Sequence, residues 1–284
     1  MRNRWLLNAL LLLAVATLTV LLVYRHGSEP VEPRIPLTSL SPDEIMSVHI
    51  QYPERELISL RRDRDKWAML TPRRVPANEH KVRNLLHLAS APSQMQLPAK
   101  TASLHKYGLD KPVAHVWLGK EEIKVGVVHP FDDVRYVHYR NMVHVVPGNY
   151  FSPESYRDLD LISPRLLGDG QIPVVIELPK FSLRLKQEKW VVEPPDESIS
   201  ADEINTFINR WRLARALFMG GPSREKSDNQ VRIVYEEDGK RVRLELGIVR
   251  YSPDFVLYRK DASMEYHFTE QTGKRLLNIN PVTN

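Results

Sequence analysis

The chain has 284 residues, no cysteine, 42% hydrophobic and 26% charged residues, and a formal charge of +5. That length can bury two cores, and the lack of thiols excludes a small disulfide-stapled module and thiol chemistry. Of the 40 Lys and Arg, three Arg lie in residues 1–26, where there is no acid; the other 37 face 35 Asp and Glu, leaving a mixed surface without the basic stripe that nucleic acid requires.

Residues 5–24 are a run of 20 without a charge, interrupted only by Asn8, Thr17 and Thr19. As a helix this run would be roughly 30 Å long, the thickness of a bilayer core. A cleaved secretory signal has a shorter apolar region, about 7–15 residues, before its small-residue cleavage site. Ala14-Val15-Ala16 supplies small residues, but eight more uncharged ones follow, and no Cys is present for lipid attachment. The length predicts a retained single-pass signal-anchor. Arg2 and Arg4 precede it, while Arg25 and His26 follow with Glu29 and Glu32 close behind. The positive-inside bias therefore predicts a bacterial inner-membrane protein with a cytoplasmic N-terminus and a periplasmic C-terminal domain.

Residues 27–40 carry Pro30, Pro33 and Pro36 and predict an extended stalk. Ser41-Pro42 then opens the folded region. From there a 100-residue pattern is read twice, about residues 46–146 and again about 173–268. Trp67-Ala68-Met69-Leu70-Thr71-Pro72 is answered 123 residues later by Trp190-Val191-Val192-Glu193-Pro194-Pro195. Val82, Leu85 and Leu86 are answered at an offset of 122 by Ile204, Phe207 and Ile208, and Val125-Gly126-Val127 at 121 by Leu246-Gly247-Ile248. Register kept this closely predicts two similar folded units.

Each unit begins with two short strands, at 47–52 and 56–62, then at 174–178 and 182–186. A third strand opens at Trp67 or Trp190 and stops at proline. A helix follows. Ser200-Ala201-Asp202-Glu203 is a capping box, ahead of an apolar stripe of Ile204, Phe207, Ile208, Trp211 and Leu217. Asn78 and Glu79 start the first unit's helix, which ends at Ala91-Pro92. Four short strands close each unit, at 114–118, 122–127, 135–139 and 143–146, and at 231–235, 242–248, 255–259 and 265–268. Such short connections predict antiparallel pairing, with Asp238-Gly239 a hairpin turn. Residues 150–161 read as a helical connector and Gly168-Asp169-Gly170 as a hinge.

The predicted fold is thus α+β: an N-terminal transmembrane helix followed by two tandem repeats, each an antiparallel sheet with one packed helix. The predicted divisions are 1–26 for the cytoplasmic tip and anchor, 27–40 for the stalk, 41–168 for the first unit and 169–284 for the second.

Leu104-His105-Lys106-Tyr107-Gly108-Leu109-Asp110-Lys111-Pro112, with Trp67, Pro72 and Gly126, resembles the bacterial domain-of-unknown-function family 4340. The resemblance covers most of residues 41–280. The second unit departs from it, having Phe218-Met219-Gly220-Gly221-Pro222 after its helix and no Tyr-Gly-Leu-Asp. The resemblance implies an envelope protein, sometimes encoded beside membrane transport components, and brings no catalytic residue. Physically, Gly108 suits a positive φ and Asp110 before Lys111-Pro112 suits a turn, so the motif reads as a corner anchored by Tyr107.

There is no Gly-x-Ser-x-Gly elbow, zinc helix or phosphate loop in the sequence, and no catalytic, cofactor-binding or metal residue is assigned. His129, Asp132, Asp133, His138 and His144 would bind zinc only if they converged. With a two-residue Arg140-Asn141 loop, His138 lies opposite Val143, and His138 and His144 point to opposite faces. Arg61, Arg62, Arg64 and Lys66, interleaved with Asp63 and Asp65, read as a self-neutralised surface. Trp67, Trp117, Trp190 and Trp211 read as core packing. The expected role is a non-enzymatic accessory or scaffold subunit, bound to the membrane and to another envelope protein, with no cofactor and no nucleic acid. The alternative is a binding module for an envelope glycan or small ligand in the cleft between the units.

Overall fold

The computed structural model of the chain describes residues 2–26, 35–100, 102–223, 227 and 229–280. Helix α1 (Arg2–His26) comes first. The folded region runs β1 (Ile35–Pro36), β2 (Ser47–Gln51), β3 (Ile58–Asp63), β4 (Lys66–Thr71), β5 (Val75–Pro76) and helix α2 (Glu79–Leu86). It continues through β6 (Pro92–Ser93), β7 (Met95–Pro98), β8 (Ala114–Leu118), β9 (Glu121–Val128), β10 (Val134–Tyr139) and β11 (Met142–Pro147). The second half comprises β12 (Ile172–Glu177), β13 (Ser182–Lys186), β14 (Lys189–Glu193), helix α3 (Ala201–Arg212), β15 (Phe218–Gly220), β16 (Asn229–Glu237), β17 (Lys240–Arg250), β18 (Asp254–Arg259), β19 (Met264–Thr269) and helix α4 (Glu270–Leu277).

The chain is α+β, with two large antiparallel sheets, a two-stranded one formed by β1 and β6, and few helices among the described residues. One large sheet has the order β5-β4-β3-β2-β8-β9-β10-β11-β7 and the other β14-β13-β12-β16-β17-β18-β19-β15. Leaving out β5, the two orders match strand for strand in chain sequence. Alternation explains the layering: Val48 and Ile50 on β2, Val116 on β8 and Ile123 and Val125 on β9 are fully buried. Helix α3 begins with both arms of its capping box, the Ser200 side chain accepting from the Glu203 amide and the Glu203 carboxylate from the Ser200 amide. It lays Ile204, Phe207, Ile208 and Trp211 on the core. The Trp211 indole donates to the Leu276 carbonyl at 2.9 Å. Trp67 is buried, whereas Trp190 is half-buried at the core's edge.

Several elements differ from the sequence reading. Leu217 lies beyond α3 and is 68% exposed, because the helix stops at Arg212. The expected helical connector is three separate 3-10 turns, Gly148–Tyr150, Pro153–Ser155 and Leu159–Leu161, interrupted at Pro153. Strands β7 and β15, which complete the two sheets, and helix α4 were not expected. Of the expected stalk, residues 27–34 lie outside the described residues. Residues 35–40 are packed: β1 pairs with β6, Leu37 and Thr38 are buried, and the Leu37 and Thr38 amides donate to Ala91 and Ala89 carbonyls.

The junction is a seam. Leu161, Ile162, Leu166 and Leu167 are all at most 1% exposed. Backbone hydrogen bonds tie this segment to Pro76 and Asn78 on one side and to Ala214 and Ala216 on the other. One hydrophobic core runs through both sheets. Across the junction Arg64 meets Asp238 at 3.7 Å and Lys66 meets Glu237 at 3.9 Å, so acids of the second sheet offset the basic β3–β4 turn.

Among the described residues no helix is long and apolar enough to cross a membrane. Within α1 the described side chains are Trp5 and residues 8–20, and the expected 5–24 span falls partly outside them. Of those side chains, Leu10, Leu11, Leu12, Leu13, Val15, Leu18 and Val20 are 57–73% exposed.

Candidate functional site

The site is built on the corner containing Tyr107. Leu104–Tyr107 makes one 3-10 turn, and Gly108 ends it at φ 63°, a left-handed conformation that favours glycine. The Leu109 amide returns to the Leu104 carbonyl at 2.9 Å. This corner lies directly on β9. A Cβ on Gly126 would fall on the Tyr107 carbonyl oxygen, and one on Gly108 would stand 2.6 Å from Val127 Cγ1. Both glycines are therefore required by close approach. The pairing of β9 with β10 shifts register beside Gly126, and buried Arg135 donates to the Gly126 carbonyl at 3.0 Å.

Pressed down this way, the corner walls a groove of about 720 Å³ over the outer face of β10, β11 and β7. Its floor is apolar: Val134 and Tyr136 of β10, Val143 and Val145 of β11 and Leu97 of β7. The register places these on one face, with Tyr136 opposite Val145 and Val143 opposite Leu97. Lys106 and Tyr107 form one wall, His129 and Asp132 the other. The Tyr107 and Tyr136 rings are 4.5 Å apart, and His129 stands edge-on to both Tyr136 and Phe131 at 6.1 Å. Phe131, beyond His129 from the groove's floor, is 91% exposed. An apolar floor with an aromatic ledge and few charges can hold apolar side chains of a ligand, with hydrogen bonds only at its margins.

The five clustered His and Asp residues do not converge. His129 Nδ1 sits 3.2 Å from Asp132. Asp133 serves the backbone, its carbonyl accepting from the Gly148 amide at 2.8 Å. His138 is opposite Val143 across the two-residue turn, and His144 points to the inner face, buried 3.0 Å from the Ser93 hydroxyl. Burial holds both imidazoles below their ordinary pKa, with Lys124 adding to the effect at His138 and His138 itself at His144. Among the described residues no group of three potential metal-ligating side chains forms.

Sequence reasoning named Tyr107 as a corner anchor and His129 and Asp132 as part of a possible zinc cluster, and missed the groove that joins them. The floor is completed by Leu97 of β7, a strand too short and too close to Pro98 to announce itself. One signal was present: glycine at both 108 and 126 marks backbone approaching backbone.

Residues 67–230, more than half of the chain, match the family model described as Domain of unknown function (DUF4340). No curated protein and no solved structure gives a match.

Proposed function

This chain belongs to the DUF4340 family, and on that premise we propose that it is a single-pass membrane protein acting as a non-enzymatic accessory subunit of an envelope assembly. It holds another envelope protein through the groove beside Tyr107. The groove is the observation that carries this reading: an apolar floor with an aromatic ledge is a surface for a partner's side chains.

Attachment is supported by α1. What supports it is the sequence of that segment: residues 5–24 carry no charge, and such a run in helical form spans roughly 30 Å, the thickness of a bilayer core. The charge bias around α1 favours an N-terminus in the cytoplasm and the sheets in the periplasm. Two tandem repeats fit the matched strand orders of the two sheets, and only the first copy carries the Tyr-Gly-Leu-Asp corner. Partner binding is accordingly assigned to the first unit.

A photo-cross-linking amino acid at Phe131 or Met95, in full-length protein in native membranes, should give one discrete adduct with an envelope protein. The same probe at Arg241, on the other sheet, should not. Equal labelling at all three positions, or no adduct at the groove, would refute the assignment.

A further inference from the structure

A second pocket lies in the other sheet unit, between α4, the β12–β13 turn and the β17–β18 turn. Its volume is about 290 Å³, and its walls are Leu178, Pro179, Tyr251, Phe255 and Leu277. Lys180 and Lys274 stand at the polar margin with Ser252 and Glu270. Gly273 is what brings α4 close: a Cβ there would run into the Phe255 ring.

The first sheet shows why this pocket is open. Tyr52-Pro53 follows β2 as Leu178-Pro179 follows β12, at the same place in the strand order. Tyr52 extends across the unit, and its hydroxyl donates to the Pro153 and Tyr156 carbonyls at 3.3 and 3.1 Å. Those residues follow β11 as α4 follows β19. Leu178 is shorter and carries no hydroxyl, so it cannot make the bond that Tyr52 makes from the turn to the element after the last strand.

The charges select the occupant. Glu270 accepts from Lys274 at 2.7 Å and from the Ser252 hydroxyl at 2.9 Å, so it is already engaged. Its charge offsets Lys274, and Lys180 leaves the rim with one positive charge in excess. A neutral apolar side chain from a partner would fill the walls and leave that charge unanswered. At about 30 Å³ per water-sized group, the volume of about 290 Å³ has room for roughly ten such groups, a short acyl chain. We propose that this pocket binds a single acyl chain with an anionic head group, the chain against Pro179, Tyr251 and Leu277 and the head at Lys180. The site is separate from the partner groove and stands whether or not that groove binds a protein.

The test uses full-length protein in phosphatidylcholine nanodiscs, titrated with decanoate carrying ¹³C at its carboxyl carbon and read by NMR against empty nanodiscs. A bound resonance saturating at one decanoate per chain is expected. Leu178→Tyr, which installs the first unit's residue, should weaken binding about tenfold or more, and Ser252→Trp should block the mouth without touching the core. Lys180→Glu should weaken decanoate about threefold and leave neutral decanol unchanged. Displacement of decanoate by dioctanoyl phosphatidylglycerol would assign the source as membrane lipid, and binding of decanoate alone would assign it as free fatty acid. The proposal is overturned if no saturable resonance exceeds that of empty nanodiscs, or if both blocking variants fold and bind as the wild type does. Equal loss of decanol and decanoate in Lys180→Glu would remove the anionic head.

Discussion

Ser93 and His144 form a buried pair whose protons follow from their neighbours. The Ser93 hydroxyl lies 3.1 Å from the Met95 carbonyl, to which it must donate, so it accepts from His144 Nδ1 at 3.0 Å. That tautomer leaves Nε2 as the acceptor, buried and without a hydrogen-bond partner. Protonation there would put a charge where nothing receives it, and burial accordingly lowers the pKa of His144, as it does that of His138. Unfolded histidines titrate near about 6.5. With the folded values lower, the stabilisation is complete above that pH and is lost as pH falls through the folded pKa, because the unfolded chain binds more protons. Urea unfolding at pH 7.5, 6.5 and 5.5 should show declining stability. A His138→Gln/His144→Gln variant should decline less steeply, and an identical slope would exclude these residues as the cause.

Strands were legible in the sequence wherever one face is buried and the other wet, and β8 to β11 and β16 to β19 fall within about a residue or two of their expected bounds. Asp238-Gly239 forms its turn with both residues at positive φ, as the hairpin pattern required. What escaped was structure that only tertiary contact makes worthwhile. Strands β7 and β15 have four and three residues and exist because a neighbouring strand offers them hydrogen bonds. The groove was illegible for the same reason, as its floor draws on three strands and its wall on a distant corner. Helix α4 was hidden by Gly273, which costs roughly 1 kcal/mol in a helix interior relative to alanine. Propensity and packing conflict at that position, and the conflict can be measured. Gly273→Ala favours the isolated helix but drives a methyl into Phe255, which is fully buried, so α4 must lift. The variant should lose about 1–3 kcal/mol in a denaturant melt. A gain of stability would mean that α4 sits further from β18 than described.

Across the molecule two sheets share one core, which the chain enters at Leu37 and Thr38. Residues 27–34 can span about 30 Å at full extension, which limits how far β1 can stand from the end of α1. Under the membrane reading, that limit keeps β1 and its partner β6 near the bilayer surface. Leu37 is 2% exposed and Thr38 4%, and the Thr38 hydroxyl and amide both bond to the Ala89 carbonyl at 2.9 Å. A chain begun at Ser41 discards these contacts, uncovering apolar surface and leaving buried carbonyls without donors. It should be about 2–4 kcal/mol less stable than a chain begun at Ile35, measured by urea denaturation. Both shortened chains should leave the membrane fraction in carbonate and high salt. The full-length protein should remain, because burying some twenty mostly apolar residues in lipid outweighs a surface attraction that salt screens. Release of the full-length protein would refute the anchor, and equal stability of the two shortened chains would return residues 35–40 to the role of a simple tether.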